Sequence, residues 1–280
     1  MSSPIISLID GRLNELIENS DELLPQAMRY SLLSGGKRLR PQLVLAASET
    51  LGGTVRDALD PACAIEMIHA FSLIHDDLPC IDNDDIRRGR PTLHRAFSEG
   101  IALLAGDALL SEAFLVIARS NHLSDRQIIR LAKLLAKRVG KEGMIGGQTI
   151  DILSEGQTIS LDLLIQMDQK KTGDLFACSL EFGAIIANAD PSIEEHLHQA
   201  GLHLGLAYQI RDDLEDATTA ISDNAKKNKP TFTTLLGHEP TRKFLLQTLE
   251  KLNHHLSFLP AGAPMIKGII DPLFDTKIDH

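Results

Sequence analysis

The stretch PACAIEMIHAFSLIHDDLPCID, from Pro61 to Asp82, joins an apolar segment to a cluster of carboxylates. Its first part is apolar around much of a helical circumference, which is typical of a helix buried on most sides. Pro79 disfavours the helical conformation for the residue before it and cannot continue the hydrogen-bond pattern. We therefore expect the helix to end near Asp76 and Asp77, with Asp82 in the following turn.

The rest of the chain also reads mainly as helix. Long segments rich in alanine and leucine contain few β-branched residues, and alternating strand-like runs are scarce. Pro61 after Asp60, and Pro191 after Asp190, predict helix starts. No change in composition marks a second domain. The sequence thus predicts an all-α fold, a bundle of roughly ten helices, in a single domain spanning residues 1–280.

Composition excludes several functional classes. The 280 residues carry a formal net charge of −10, which argues against nucleic acid as the main partner. The three cysteines are widely spaced and form no CxxC pair, so we expect reduced thiols and a cytoplasmic location. No run of 18 apolar residues and no secretory signal is evident, so we expect no stable membrane insertion.

A second set of polar residues lies in the segment AYQIRDDLEDA. Gln209, Asp212, Asp213 and Asp216 recur at i, i+3, i+4 and i+7, which places them on one helical stripe. The preceding residues GLHLGLA are apolar and small, as in a core helix, where carboxylates are costly unless paired or metal-bound. Oxygen ligands of this kind favour Mg²⁺, which commonly bridges protein carboxylates to phosphates.

Two other interpretations of the first acidic cluster are a solvated loop and an EF-hand. A solvated loop is the more usual explanation of an isolated acidic run. An EF-hand that starts at Asp82 fails, because Ile86 stands at the fifth position and Arg87 where glycine is needed. Two clusters on apolar helices favour a metal site, although Asp84 and Asp85 receive no role.

Cationic side chains accompany the acidic clusters. Arginine forks suit phosphate oxygens, so a second diphosphate without metal could bind here. A single lysine is most often solvated surface, and it is the coincidence with two acidic clusters that favours a function. These cations are Lys37, Arg38, Arg40, Arg87, Arg88, Lys171, Lys226, Lys227 and Lys229.

Taken in order, the motifs GGKRLRP, DDLPCID followed by RRGRPT, GMIGGQTID, KTG and YQIRDDLED resemble those of the trans-isoprenyl diphosphate synthases, in particular the bacterial farnesyl type. They run from Gly35 to about Leu236. The resemblance implies an all-α isoprenoid synthase bundle around a central cavity, and a homodimer. It also implies head-to-tail condensation of isopentenyl diphosphate with the allylic substrates dimethylallyl and geranyl diphosphate.

The same resemblance implies roles for individual residues. The ligands of about three Mg²⁺ ions on the allylic diphosphate would be Asp76, Asp77, Asp82, Asp212, Asp213 and Asp216. Isopentenyl diphosphate would be bound by Lys37, Arg40, His69 and Arg88. The allylic diphosphate and its reacting carbon would be contacted by Arg87, Lys171, Thr172, Gln209 and Lys229. The residues implied to be catalytic are Asp76, Asp82, Lys171, Thr172, Gln209 and Asp212.

Product length is a separate expectation. In the family, the positions five and four residues before the first motif, here Phe71 and Ser72, help to form the cavity floor. The Phe71 ring, with the two extra residues inside DDLPCID, resembles the farnesyl type, while core packing is the alternative explanation of this ring. The alternatives within the family are a geranylgeranyl or geranyl diphosphate synthase and a non-catalytic regulatory subunit.

Two further alternatives lie outside these synthases. A terpene cyclase would not need the predicted second diphosphate site of Lys37, Arg40 and His69, and a lipid-binding bundle would not need six aligned carboxylates. The chain departs from the family in a shorter region before GGK and in its last segment, GAPMIKGIIDPLFDTKIDH. We expect these departures to affect the lid over the diphosphate site or the dimer contacts, and not the metal motifs.

Overall fold

The computed structural model describes residues 4–217 and 229–275, which are almost entirely helical, so the predicted all-α class is confirmed. Within them, twelve α-helices have eight residues or more and two are shorter. The helices are α1 (Pro4–Leu16), α2 (Leu23–Leu32), α3 (Leu39–Thr50), α4 (Val55–Asp76), α5 (Leu93–Ala96), α6 (Glu99–Ala118), α7 (Asp125–Val139), α8 (Met144–Ser154), α9 (Leu161–Asp168), α10 (Asp174–Ile186), α11 (Pro191–Ala217), α12 (Phe232–Leu236), α13 (His238–Leu256) and α14 (Pro264–Phe274). A π-helical turn (Gln169–Gly173) joins α9 to α10, a 3₁₀ turn (Pro260–Gly262) precedes α14, and β1 (Ile86–Arg87) pairs antiparallel with β2 (Arg90–Pro91).

The described residues group into two compact units. The first comprises residues 4–45 and 53–132, and its core is formed largely where α4 packs against α6. The second comprises residues 46–52, 133–217 and 229–275, and its core is formed where α11 packs against α10 and α13. The single-domain organisation stays a prediction.

Helix α4 begins before the proline that was expected to start it. Thr54 is the N-cap, and its hydroxyl accepts a hydrogen bond of 3.2 Å from the backbone N–H of Asp57. Pro61 lies inside the helix, so the predicted start there is wrong: the Thr54 cap, which satisfies a donor of the first turn, lies upstream of it. The end of α4 at Asp76 and the start of α11 at Pro191 are as predicted.

Helix α6 is the most apolar of the described helices. Among the described residues it is the one helix long and apolar enough to cross a membrane by length and composition, and 39% of its most apolar stretch is buried. A core helix of a globular protein meets the same criterion, and α6 packs on α4. The expectation of no stable membrane insertion therefore stays a prediction.

Glycines let three segments of the second unit approach closely. A Cβ atom on Gly147 of α8 would lie 2.3 Å from the backbone N of Lys171, and one on Gly205 of α11 would lie 2.4 Å from the Cα of Gly173. The π-helical turn is therefore packed backbone to backbone against α8 and α11. Such turns often occur at functional sites, and this one carries Lys171 and Thr172.

Candidate active site

The first aspartate cluster lies at the C-terminal end of α4, as predicted. The backbone N–H of Asp82 donates a hydrogen bond of 2.8 Å to the carbonyl oxygen of Asp76, so the loop after the helix returns to the helix end. Asp77 is buried, whereas Asp76 and Asp82 are half-buried. The three predicted ligands of the first motif are thus close together in the chain's first unit.

Arg87 connects this cluster to the β1–β2 hairpin. Its Nε and Nη2 lie 2.7 and 2.6 Å from Oδ1 of Asp77, and Nη2 lies 3.4 Å from Oδ2 of Asp84. Burial raises the pKa of Asp77 despite this guanidinium. Asp85 accepts a hydrogen bond of 2.6 Å from Nε of Arg95. Asp84 and Asp85, which had no role in the sequence analysis, therefore pair with cations near the hairpin.

Cations of the first unit gather around His69. Gly36 has φ = +128°, and a Cβ atom there would lie 2.8 Å from Cζ of Arg88, so glycine makes room for this guanidinium. Burial, followed by the charges of Arg40 and Arg88, keeps the pKa of His69 well below its ordinary value. Lys37 is exposed on the same loop as Gly36. The structure thus brings the predicted isopentenyl diphosphate residues into one region.

Arg38, in the same GGKRLRP motif, has a different environment. It is 3% exposed. Its Nε bonds Asp10 at 2.7 Å, its Nη1 bonds Glu66 at 2.6 Å, and its Nη2 bonds the carbonyl oxygen of Leu32 at 2.9 Å. Since every guanidinium nitrogen has a protein partner, Arg38 anchors the loop to the first unit's core rather than reaching for a phosphate.

The second aspartate stripe lies on α11, as predicted. Asp213 is buried, and its Oδ1 accepts a hydrogen bond of 3.2 Å from Nε2 of Gln209. Its Oδ2 accepts one of 2.8 Å from the backbone N–H of Phe232. Burial raises the pKa of Asp213 to about 6. Asp212 and Asp216 are half-buried on the same helix. Asp213 therefore also fixes the start of α12.

Asp151 forms ion pairs with two lysines of the second unit. Its Oδ2 lies 2.6 Å from Nζ of Lys171 and 2.9 Å from Nζ of Lys229. Burial alone would raise the pKa of Asp151, but the two ammonium groups hold it below its ordinary value. The structure thus brings Lys171 and Lys229 together, while Lys226 and Lys227 lie outside the described residues. Asp151 was not among the predicted site residues, although it stands in the GMIGGQTID motif.

Asp168, the last residue of α9, is a second buried acid outside the predicted site residues. It is 4% exposed, and its Oδ2 has no hydrogen-bond partner among the described residues. Burial and, next, the charge of Asp213 raise its pKa well above the ordinary value. No motif or periodicity singles out Asp168, because its burial depends on how α9 and α11 pack.

The carboxylates of both motifs fit a hard divalent cation. Burial raises the pKa of Asp77, Asp212 and Asp213, so positive charge beside them would favour their ionised form. Carboxylate oxygens are also the donors that Mg²⁺ prefers. Among the described residues, no three acidic, histidine or cysteine side chains are already arranged as ligands of one ion. The exact ligand set therefore stays a prediction.

The two residues predicted to set product length lie on α4. Phe71 is buried, and its ring packs edge-on against the ring of His75, with 5.0 Å between centroids. A Cβ atom on Gly106 of α6 would lie 2.2 Å from Nε2 of His75, so this glycine makes room for the pair. The Ser72 hydroxyl donates to the carbonyl oxygen of His69 at 2.9 Å. The role of Phe71 and Ser72 in product length stays a prediction.

The chain is similar in sequence to known proteins. Residues 21–255 match the family described as Polyprenyl synthetase. Farnesyl diphosphate synthase of Geobacillus stearothermophilus is 43% identical over 83% of this chain and 82% of its own. A chloroplastic geranylgeranyl pyrophosphate synthase of Catharanthus roseus is 44% identical over 81% of this chain and 65% of its own.

Solved structures agree with the sequence relatives. An FPP/GFPP synthase from Zymomonas mobilis has a TM-score of 0.88 and 38% identity, covering 96% of this chain and 95% of its own. A Helicobacter pylori geranyltransferase complexed with magnesium and isoprenyl diphosphate has a TM-score of 0.83 and 31% identity, covering 98% and 99%. With both aspartate motifs in place on the same all-α fold, the chain belongs to the polyprenyl synthetase family and is a trans-prenyl diphosphate synthase.

Proposed function

We propose that this enzyme condenses isopentenyl diphosphate with dimethylallyl and then geranyl diphosphate, giving farnesyl diphosphate. The observation that carries the proposal is the pair of aspartate motifs, one at the end of α4 and one on α11, each accompanied in its own unit by cations. The acidic residues of both motifs, Asp76, Asp77, Asp82, Asp212, Asp213 and Asp216, hold Mg²⁺ in this proposal. The magnesium and isoprenyl diphosphate named with the Helicobacter pylori structure support this assignment.

The reaction begins with the allylic substrate. Bound Mg²⁺ supplies positive charge that stabilises the departing diphosphate. Arg87, Lys171 and Lys229 bind the phosphate oxygens, and they hold their positive charge before the C–O bond breaks, so little reorganisation is needed. The electron pair of the broken bond leaves with the diphosphate. Thr172 follows Lys171 in sequence, and Gln209 lies on α11 with the second aspartate motif. In this proposal both side chains orient the reacting carbon of the allylic substrate.

The second substrate supplies the nucleophile. Arg40, Arg88, Lys37 and the neutral imidazole of His69 bind isopentenyl diphosphate, because guanidinium and ammonium groups match its phosphate oxygens without metal. The double bond of isopentenyl diphosphate attacks the allylic cation, forming a carbon–carbon bond. The resulting cation loses a proton to the released diphosphate, which restores a double bond. No covalent bond to the protein forms.

A geranylgeranyl product is the second candidate. It is favoured by the Catharanthus roseus relative, which is as similar to this chain as the Geobacillus relative is. The buried ring of Phe71, five residues before Asp76, favours the shorter product, since a phenyl group beneath the first motif would stop a growing chain. Ser72, whose hydroxyl bonds within α4, is the smaller member of this pair.

A product assay tests the proposed function. Purified protein is incubated with Mg²⁺, isopentenyl diphosphate and geranyl diphosphate, and the dephosphorylated products are separated by chain length. Farnesol as the main product supports the proposal, whereas geranylgeraniol moves the assignment to the second candidate. Asp76→Ala and Asp212→Ala should each lose most turnover, with the exposed Asp162→Ala as the matched control. Full turnover in either motif variant would remove the metal assignment.

We also propose a cytoplasmic homodimer in which a second copy covers part of α6. Leu103 and Leu104 of this helix are 46% and 53% exposed, and Leu115 is 38% exposed. An apolar stretch of this kind is a common feature of surfaces that self-associate. The diphosphate substrates are charged and water-soluble, which suits an enzyme that works in the cytoplasm.

A further inference from the structure

A cluster of histidines lies on the second unit, where α11 packs against α13. His196 and His203 come from α11, and His254 and His255 come from α13. The Nδ1 atoms of His196 and His255 are 3.2 Å apart. The rings of His203 and His255 are stacked, with 5.5 Å between centroids. Neither the aspartate motifs nor the diphosphate cations involve any of these four residues.

The distance between the two Nδ1 atoms matches a metal site. In a tetrahedral zinc site with Zn–N bonds of about 2.05 Å, two ligand nitrogens lie roughly 3.3 Å apart. The measured 3.2 Å between His196 and His255 is close to this value. This spacing is compatible with one ion bound to both nitrogens.

The third ring has a defined tautomer. Nδ1 of His203 lies 2.7 Å from the carbonyl oxygen of Gln199. Because a carbonyl only accepts, this nitrogen carries the proton, and Nε2 of His203 keeps its lone pair when the ring is neutral. A backbone carbonyl that orients a histidine in this way is the usual outer partner of a metal-bound imidazole.

Two of the three rings, those of His203 and His255, border an open cleft. A cleft of about 390 Å³ is lined by His203, Gln247, Glu250, Lys251, His254 and His255. His196 and His203 are seven residues apart, so they share one face of α11. Asp212 and Asp216 lie roughly 160° and 200° around the helix from His196, at about 100° per residue. The histidine face is therefore opposite the proposed catalytic face of the same helix.

We propose that His196, His203 and His255 form a binding site for a transition-metal ion of the Zn²⁺ class, separate from the Mg²⁺ site. Imidazole nitrogens suit zinc, nickel and copper and are poor ligands for magnesium. Two nitrogens are already at ligand spacing. The third needs a ring rotation, because no three such side chains among the described residues are yet arranged around one ion. Glu250 or water would complete the tetrahedron.

The competing explanation is packing. His196 stacks on Phe258 with 3.9 Å between ring centroids and 8° between planes, and His254 packs edge-on against the same ring. A hydrogen bond between His196 and His255 with no metal would give the same 3.2 Å. Only metal binding separates the two explanations.

The test uses tag-free protein, stripped of metal with a chelator and dialysed into buffer with millimolar Mg²⁺ to occupy sites made of oxygen ligands. Zn²⁺ is titrated calorimetrically, and Cu²⁺ is added separately for electron paramagnetic resonance. We expect one Zn²⁺ per chain and nitrogen hyperfine structure in the Cu²⁺ spectrum. His255→Ala should weaken Zn²⁺ binding by at least about tenfold, because it removes one of the three protein ligands.

Two further variants keep the test decisive. His196→Gln/His255→Gln retains polar side chains of similar size but loses two ligands, so it should abolish the site in a folded protein. His238→Ala removes an exposed histidine whose ring lies 3.9 Å from Glu239, and it should bind Zn²⁺ as the wild type does. Equal Zn²⁺ binding by wild type and both His255 variants would overturn the proposal, as would a Cu²⁺ spectrum without nitrogen coupling. Prenyl transfer should remain in all variants, so this outcome is independent of the proposed function.

Discussion

Arg38 and Arg40 show how far identical residue types can diverge within one motif. Both stand in GGKRLRP, and both were grouped in the sequence analysis with the phosphate-binding cations. Arg38 is buried between Asp10 and Glu66, whereas Arg40 contributes to the charge that lowers the pKa of His69. Sequence alone could not separate them, because the difference depends on Glu66, 28 residues away on α4.

Removing Arg38 should destabilise the protein strongly. Arg38→Met leaves the carboxylate of Glu66 buried without its cation, which typically costs about 3–5 kcal/mol. Urea unfolding measures this loss. The double variant Arg38→Met/Glu66→Leu should recover much of the loss, since it leaves no isolated buried charge. Equal stability of wild type and Arg38→Met would contradict an anchoring role.

Phe71 carries the prediction of product length. Phe71→Ala removes the ring beside His75, so we expect products longer than farnesyl diphosphate, together with a loss of about 3 kcal/mol of stability for a large core truncation. Products are separated by chain length after dephosphorylation. Ile74→Ala, which also truncates a buried residue of α4, is the control for loss of packing. The same product distribution in wild type and Phe71→Ala would show that another residue ends the chain.

The raised pKa of Asp174 should make the free energy of unfolding depend on pH. Burial raises its pKa to about 6 from an ordinary 3.8, although Nη1 of Arg138 lies 3.2 Å away. The folded state therefore binds the proton more tightly than the unfolded state. This contribution to stability is fully present below about pH 4 and is lost as pH rises through 6.

Asp174→Asn should remove this dependence. The free energy of unfolding, measured in urea from pH 4 to pH 7, should fall less steeply in the variant, by an amount on the order of 1–3 kcal/mol across the range. Exposed Asp162→Asn should follow the wild-type profile. Parallel profiles for wild type and Asp174→Asn would show that the carboxyl does not titrate in this window.

At the scale of elements, the sequence pattern predicted the two helices that carry the aspartate motifs, α4 and α11. The end of α4 at Asp76 and the stripe on α11 follow from side-chain spacing and from one proline, which are local signals. The predicted start of α4 at Pro61 was wrong, because the N-cap of the helix is Thr54, seven residues upstream. The π-helical turn at KTG was not foreseen, since it depends on the close packing of α8 and α11 against its backbone.

Gly205 should be essential to that packing. In Gly205→Ala the new Cβ would meet the backbone of Gly173 at 2.4 Å, and backbone atoms cannot turn aside as a side chain can. We expect a loss of about 1–3 kcal/mol of stability, with reduced turnover because Lys171 and Thr172 are displaced. Thermal unfolding and the product assay measure the two effects. Gly268→Ala, for which no atom of the described residues lies within 4 Å of the new Cβ, should be neutral or slightly stabilising.

At the scale of the whole molecule, the all-α class was predictable from composition and pattern. Specific buried acids were not, because Asp151 and Asp168 acquire their neighbours only when distant helices pack. Assembly is likewise beyond a single sequence. The prediction of a homodimer rests on the resemblance to the family and on the exposed leucines of α6.

Charge on α6 should disrupt that assembly. Leu103→Lys/Leu104→Lys places two cations on the exposed face, where burial against a second copy would be costly. Light scattering after size exclusion should show wild type at twice the chain mass and the variant at the chain mass. Arg119→Glu, a charge change just after the end of the same helix, is the control. A wild-type protein that is monomeric at micromolar concentration would contradict the prediction.

The shared bond of Lys171 and Lys229 to Asp151 has a consequence for turnover. In the proposed function, the substrate's phosphates bind the same two ammonium groups that the Asp151 carboxylate holds, so the carboxylate competes with them. Arrival of a diphosphate is then an exchange of anions, and so is its departure. When the inorganic diphosphate leaves, the Asp151 carboxylate takes its place beside Lys171 and Lys229. The two ammonium groups therefore keep a counter-charge, which lowers the cost of product release. We expect Asp151→Asn to bind diphosphate more tightly and to suffer stronger product inhibition.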